Sequence, residues 1–304
     1  MPRQDATPGL PEPHVNQPYI DVSALEGGMI TLPLSFFIKH AAPTEVNVCP
    51  SVAFSLRHSS SGTHLVFDLG IRRDVSTYPP VVQGIIAKYM PVDVPQTVDE
   101  SLVKGGIDPA RVETVVLSHL HWDHIGNASA FPHATFVLGP GSCELMDSGF
   151  PKNPTSDVLA YDIPSERARI LAPEDFNVSI GPFPRALDYF GDGSPYLVDA
   201  VGHLAGHINI LARTSSTGSW LYLAGDSAHD ERLLTGEKEV AFMLDPSGKM
   251  LCAHANRDDA VEHIRRVGSL LKIPKVQVLL PHGLRWYKEN KGGPAFLPGV
   301  IRPL

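Results

Sequence analysis

The chain has 304 residues, 43% of them apolar, which is enough for one well-filled domain with added loops. Its formal charge of -8 argues against a nucleic-acid partner, which would want a basic groove. No apolar run approaches a membrane span and no basic-then-apolar leader opens the chain; Cys49, Cys143 and Cys252, without metal-type spacing, read as free thiols of a cytoplasmic protein.

Residues 1–20 form a proline-rich arm. Pro2, Pro8, Pro11, Pro13 and Pro18 rule out a helix and predict an extended or disordered stretch, available to pack along a neighbouring subunit in a homodimer. Residues 21–304 read as a single domain. Residues 51–56 alternate polar and apolar side chains, and residues 65–67 follow as in a β-hairpin, ending at Asp68. Residues 75–105 are loaded with proline and apolar groups, Tyr89 and Met90 among them. That segment is either a helix filling an edge of the core or a lid insertion. Residues 115–118 then form a buried apolar strand, and His119-Leu120-His121-Trp122-Asp123-His124 follows. Three later apolar runs end the same way: 196–201 at Gly202-His203, 220–224 at Gly225-Asp226, and 276–280 at Pro281-His282-Gly283. Between the last two, Asp258 and Asp259 open a helix whose apolar residues Val261, Ile264, Val267 and Leu271 recur at a spacing of three to four. Strands interleaved with helices argue an α/β class.

Four metal-capable side chains in the six positions from His119 to His124 mark a metal site. Imidazole and carboxylate suit a borderline cation such as zinc. His119 and His121 are two apart, so in an extended segment they point to one side. Asp123 and His124 fall where the chain must turn and can face a second position, so one loop can serve two ions. The alternative is a chance cluster of solvated histidines, and it leaves the three matching strand ends unexplained. Glycine beside each of these lets the backbone turn tightly and removes bulk next to an ion.

In this order and setting, the motifs resemble those of the metallo-β-lactamase fold superfamily, over roughly residues 52–283. The resemblance implies a four-layered αββα sandwich, with two mixed sheets face to face, helices outside and the site along one edge. It also implies two divalent metal ions, zinc foremost, with manganese, iron or cobalt able to use the same donors. His119, His121 and His203 would hold one ion, Asp123, His124 and His282 the other, and Asp226 would bridge. Asp68, otherwise a plain turn residue, matches a family aspartate that fixes the tautomer of a ligand histidine. His207 matches a position that is usually structural. His254 and His263 have no motif context. Residues 75–105 match an insertion that commonly covers the active site, so Tyr89 and Met90, with Trp122 from the metal motif, would line a small-molecule pocket and exclude water.

The bridging aspartate narrows the implied activity. True metallo-β-lactamases of this fold commonly have cysteine or serine there, whereas lactonases, glyoxalase II-like thioesterases, phosphodiesterases and phosphotriesterases have aspartate. With Asp123, Asp226 and a bridging hydroxide, two zinc ions leave about one net positive charge, which favours an oxyanion and hence hydrolysis. The redox branch has glutamate where His121 stands. Only 22 residues follow His282, too few for the glutathione-binding domain of glyoxalase II-like enzymes. What remains resembles quorum-quenching lactonases, and fungal hydrolases that open plant benzoxazolinones in detoxification. The implied reaction is attack of a metal-bridging hydroxide on the ring carbonyl of a lactam, cyclic carbamate or lactone. An N-acyl homoserine lactone is an alternative substrate, as are phosphoesters or a small thioester on the same site. Asp123 is the implied proton shuttle. One departure stands out: lactonases of this branch carry a tyrosine three residues beyond the bridging aspartate, and this chain has His229. It would either replace the phenol as a donor to the carbonyl or be a solvated loop residue.

Overall fold

The computed structural model describes residues 9–244 and 250–304. Two six-stranded sheets stack face to face. Across the first lie Ile20–Leu25, Ala53–His58, His64–Phe67, Thr114–Val116, Thr135–Leu138 and Ala168–Ile170; across the second, Val178–Ile180, Phe183–Asp188, Pro195–Asp199, Ile208–Arg213, Trp220–Leu223 and Val276–Leu279. The expected hairpin forms with Phe54 opposite Phe67. Alternation within strands builds the layers. Leu65, Phe67 and Val116 face the core between the sheets, while Val66, Val115 and Leu117 face outward. In the second sheet Leu221 and Leu223 face in, and Trp220 and Tyr222 face out. Each fully buried side chain of this size contributes roughly 1.5–3 kcal/mol of transfer free energy.

The outer faces are covered by helices, giving the four layers. Val98–Lys104 sets Val98 and Leu102 against the first sheet. Arg257–Leu270 covers the second, its start held by the Asn256 side chain accepting from the Asp259 amide. Its buried face is Ala260, Ile264, Val267 and Leu270. The expected stripe is therefore corrected at two positions. Val261 is rotated one residue out of the face and is 40% exposed, and Leu271 lies past the end of the helix and is 46% exposed.

Residues 75–105 hold two helices that pack in different places. Val98–Lys104 fills a core edge. Pro80–Lys88 instead joins a separate apolar cluster in which Val82 and Ile86 pack with Leu32, Phe37 and Trp122 beside the metal motif. Two small sheets were not foreseen: Val46–Pro50, Met29–Pro33 and Val92–Asp93 form one, and Met243–Leu244 with Met250–Leu251 the other. Residues 1–8 of the arm lie outside the described residues. From residue 9 the arm has no helix and packs on its own chain: Leu10 joins the layer outside the second sheet, Arg213 donates to the Pro11 carbonyl and Gln17 to that of Asp192. Strand pairing already begins at Ile20. Among the described residues no helix is long and apolar enough to cross a membrane.

Candidate metal centre

Strand ends from both sheets meet at one edge of the sandwich. Thr114–Val116 delivers the His119–His124 loop; Pro195–Asp199, Trp220–Leu223 and Val276–Leu279 deliver His203, Asp226 and His282. The sheets are tied where the loops begin, because the Ile208 amide donates to the Ser118 carbonyl. The Asp226 turn depends on glycine. Gly225 has φ +44°, and a Cβ there would lie 2.6 Å from His207 Nε2. That nitrogen accepts the Asp226 amide, while His207 Nδ1 donates to the Ala200 carbonyl. Both nitrogens of His207 are thus committed to shaping the turn.

The seven side chains fall into two groups that share Asp226: His119, His121 and His203 in one, Asp123, His124 and His282 in the other. In the first, His121 Nδ1 lies 2.9 Å from His119 Nε2 and 2.9 Å from His203 Nε2, and the last two are 3.2 Å apart. In the second, Asp226 Oδ1 lies 3.1 Å from His124 Nε2 and 3.3 Å from His282 Nε2, and Asp123 Oδ2 is 3.5 Å from His282 Nε2. These residues fit divalent cations. His124 Nε2, His282 Nε2 and Asp226 Oδ1 are buried without an aligned hydrogen-bond partner, a costly condition that a metal relieves.

The far nitrogens are occupied in ways that fix the tautomers. His282 Nδ1 donates to the Pro50 carbonyl at 2.8 Å. His124 Nδ1 donates to Asp68 Oδ2 at 2.9 Å. His119 Nδ1 donates to Ser118 Oγ, which in turn donates to Asp68 Oδ2. The Ser118 amide donates to Asp68 Oδ1, so one buried carboxylate braces both groups. Asp68 takes φ +63°, a left-handed conformation tolerated by aspartate in a turn.

Electrostatics separate the groups. Burial, reinforced by neighbouring imidazoles, holds His119 and His203 well below the ordinary histidine range. Burial also opposes charge on His124 and His282. There it is outweighed by carboxylates, chiefly Asp226, and both are raised well above that range. Without metal, protons therefore stand in for a cation in the second group.

The centre floors a cavity of about 350 Å³. Its walls are mainly apolar and aromatic, with Phe36, Phe37, Trp122 and Phe242 prominent. Ile85 and Met90 bring the 75–105 segment into the wall, but Tyr89 is not part of it. Tyr89 is 44% exposed, with its ring against Phe36, because it sits just past the end of Pro80–Lys88 on the outer side. His229 lines the cavity and is only 5% exposed, which excludes the solvated-loop alternative. Its Nε2 lies 3.0 Å from Asp226 Oδ2 and its ring stacks on Phe37 at 4.1 Å. The donor expected to replace tyrosine is thus turned toward the shared carboxylate. Three features escaped the sequence: the wall formed by Phe242, Met243 and Leu251, the lining carboxylate Asp157, and His254 against His203. The wall and His254 have no motif, and His254 approaches its partner across 51 positions. Asp157 lies in a stretch of residues 151–161 that forms no strand or long helix.

The chain resembles known proteins of one superfamily. Residues 46–210 match the metallo-beta-lactamase superfamily. Gamma-lactamase FDB1 of Fusarium pseudograminearum is 34% identical over 237 residues, covering 72% of this chain and 56% of that protein. N-acyl homoserine lactonase AttM of Azorhizobium caulinodans is 31% identical over 243 residues, covering 77% and 82%. A Penicillium brevicompactum protein named cytochrome P450 monooxygenase mpaDE' is 35% identical over 237 residues, and the chain spans only 27% of its length. Among solved structures, B. thuringiensis AiiA with N-decanoyl-L-homoserine at its active site has a TM-score of 0.70 at 16% identity, covering 92% of this chain and 98% of that one.

Proposed function

Since the chain belongs to the metallo-beta-lactamase superfamily, we propose that it is a dinuclear metal-dependent hydrolase that opens a small apolar ring, a lactam or cyclic carbamate foremost and a lactone next. One observation carries this reading: seven ligand-type side chains converge into two groups sharing one carboxylate, at the floor of a mainly apolar cavity. His119, His121 and His203 would hold one ion, Asp123, His124 and His282 would hold the other, and Asp226 would be shared. Zinc is the proposed metal, on the donor set of imidazole and carboxylate. Bound there, the ions supply Lewis-acid polarisation and a water of lowered pKa.

The chain's own groups do the rest. The aromatic walls hold a flat ring and exclude bulk water. Asp123 is the ligand carboxylate nearer the opening, its side chain 10% exposed against 3% for Asp226. It takes the proton of the attacking water and delivers it to the leaving nitrogen or oxygen as the ring C–N or C–O bond breaks. His229 holds the Asp226 carboxylate in place through its Nε2. An amide-type nitrogen leaves poorly without a proton, so Asp123 matters more for a lactam than for a lactone. The lactam reading is favoured by the relatives named gamma-lactamases, and the lactone reading by the relative named AttM. A cytoplasmic location and a detoxifying role are part of the proposal, the location supported by three unpaired cysteines.

The test is mass spectrometry of 2-benzoxazolinone and of an N-acyl homoserine lactone after incubation with metal-loaded protein, each beside a chelator-treated control. Metal-dependent formation of 2-aminophenol supports the lactam reading, and opening of the lactone alone supports the second. Two bound metals with no conversion of either would overturn the ring-opening proposal.

A further inference from the structure

The metal groups differ in how their histidines are held from behind, and one of these supports has no counterpart in the sequence motifs. His203 Nδ1 lies 3.1 Å from His254 Nδ1, both rings buried and nearly perpendicular at 77°. Because His203 Nε2 converges with the nitrogens of His119 and His121, its proton must sit on Nδ1, and His254 Nδ1 is then the acceptor. The loops carrying the two residues are zipped together. The Ala255 amide donates to the His203 carbonyl and the Asn256 amide to the Gly202 carbonyl, each at 2.9 Å. The close approach is therefore built by the backbone.

We propose that His254 is a positioning residue for the metal centre: its Nδ1 fixes the tautomer and ring angle of His203, and so sets the affinity of the ion held by His119, His121 and His203 while leaving the other ion untouched. This rests on the dinuclear reading above. The second group has its own supports, Asp68 behind His124 and the Pro50 carbonyl behind His282, and His254 reaches neither. His254 also connects to the substrate cavity, since Cys252 and Ala253 just before it line the wall. A metal ligand is thereby tied to the segment that contacts substrate.

The experiment is a competitive chelator titration of zinc-loaded protein, read as zinc per chain, with the visible spectrum of the cobalt-substituted protein as a second readout. Wild type should hold two ions. His254→Phe keeps the ring volume but removes the acceptor, and should release one ion at a chelator concentration about tenfold or more below wild type, with the other unchanged. His254→Asn places Oδ1 at the same two-bond distance from Cβ as Nδ1 and should restore most of the affinity. His254→Asp puts a carboxylate there and should bind that ion at least as tightly as wild type, which keeps the test open if the Phe variant does not fold. Release profiles identical to wild type in His254→Phe, equal weakening of both ions, or a weaker ion in His254→Asp would overturn the inference. Wild-type protein that binds no pair of ions would overturn the dinuclear reading itself.

Discussion

Asp226 is the residue on which the two metal groups depend, with carboxylate oxygens turned toward both. Asp226→Ala should therefore lose both ions, giving below one zinc per chain by elemental analysis. Two retained ions would remove it from the bridging role. Asp68 acts at one remove. Asp68→Asn keeps the shape but supplies an amide where His124 and Ser118 both donate, so zinc affinity should fall roughly 10–100-fold in a chelator competition. An unchanged affinity would reduce Asp68 to a turn residue. The seven clustered residues were legible in the sequence because each stands beside glycine or in one six-residue motif at the end of an apolar run. His254 was not, since its role comes from two loops meeting in space. Tyr89 and Met90 show the same limit. They are adjacent in sequence, yet helix termination sends one outward and the other into the wall.

At the level of elements, the site is a set of strand ends whose turns are held to narrow tolerances. Gly225 is the clearest case. A Cβ there meets His207 Nε2 at 2.6 Å in a left-handed backbone conformation. Gly225→Ala should lower stability by about 1–3 kcal/mol and displace Asp226, seen as a lower melting temperature together with lost metal. A normal melt with two bound ions would show that the turn is looser than its geometry implies. Residues 51–56 could be placed as a strand from alternation, whereas 115–118, 196–201, 220–224 and 276–280 stood out as unbroken apolar runs, because both faces of each large sheet are covered. The helix Arg257–Leu270 could be placed from the aspartates that open it and from its spacing, but its stripe was shifted, since apolar Val261 competes in the pattern with the smaller buried Ala260. The short Met243–Leu244 pairing left no such trace. Two-residue strands carry no period, and here only Met243 and Leu251 line the cavity.

Taken whole, the sandwich pays for its polar interior in acid. His207 and His263 are buried and held neutral, mainly by burial, with pKa values pushed down to about 3. Between that value and the unfolded pKa of about 6.5 the unfolded chain binds protons that these folded imidazoles refuse, so stability rises with pH across the window. His124 and His282, raised by their carboxylate neighbours, act in the opposite sense above it: their contribution is complete below about 6.5 and is lost as pH climbs. Metal-free protein should thus have a lower urea midpoint at pH 5 than at pH 6.5. Equal midpoints would mean that these imidazoles are not held neutral in the fold. The same two raised histidines predict that zinc uptake at neutral pH releases protons, measurable by calorimetry in buffers of differing ionisation enthalpy.

The most direct test of the dinuclear account is ring opening of a cyclic amide or lactone, followed as zinc is added back to metal-stripped protein. Activity should be absent at the start, rise with added metal and level off at two ions per chain. Full activity at one ion, or turnover in the stripped protein, would contradict it.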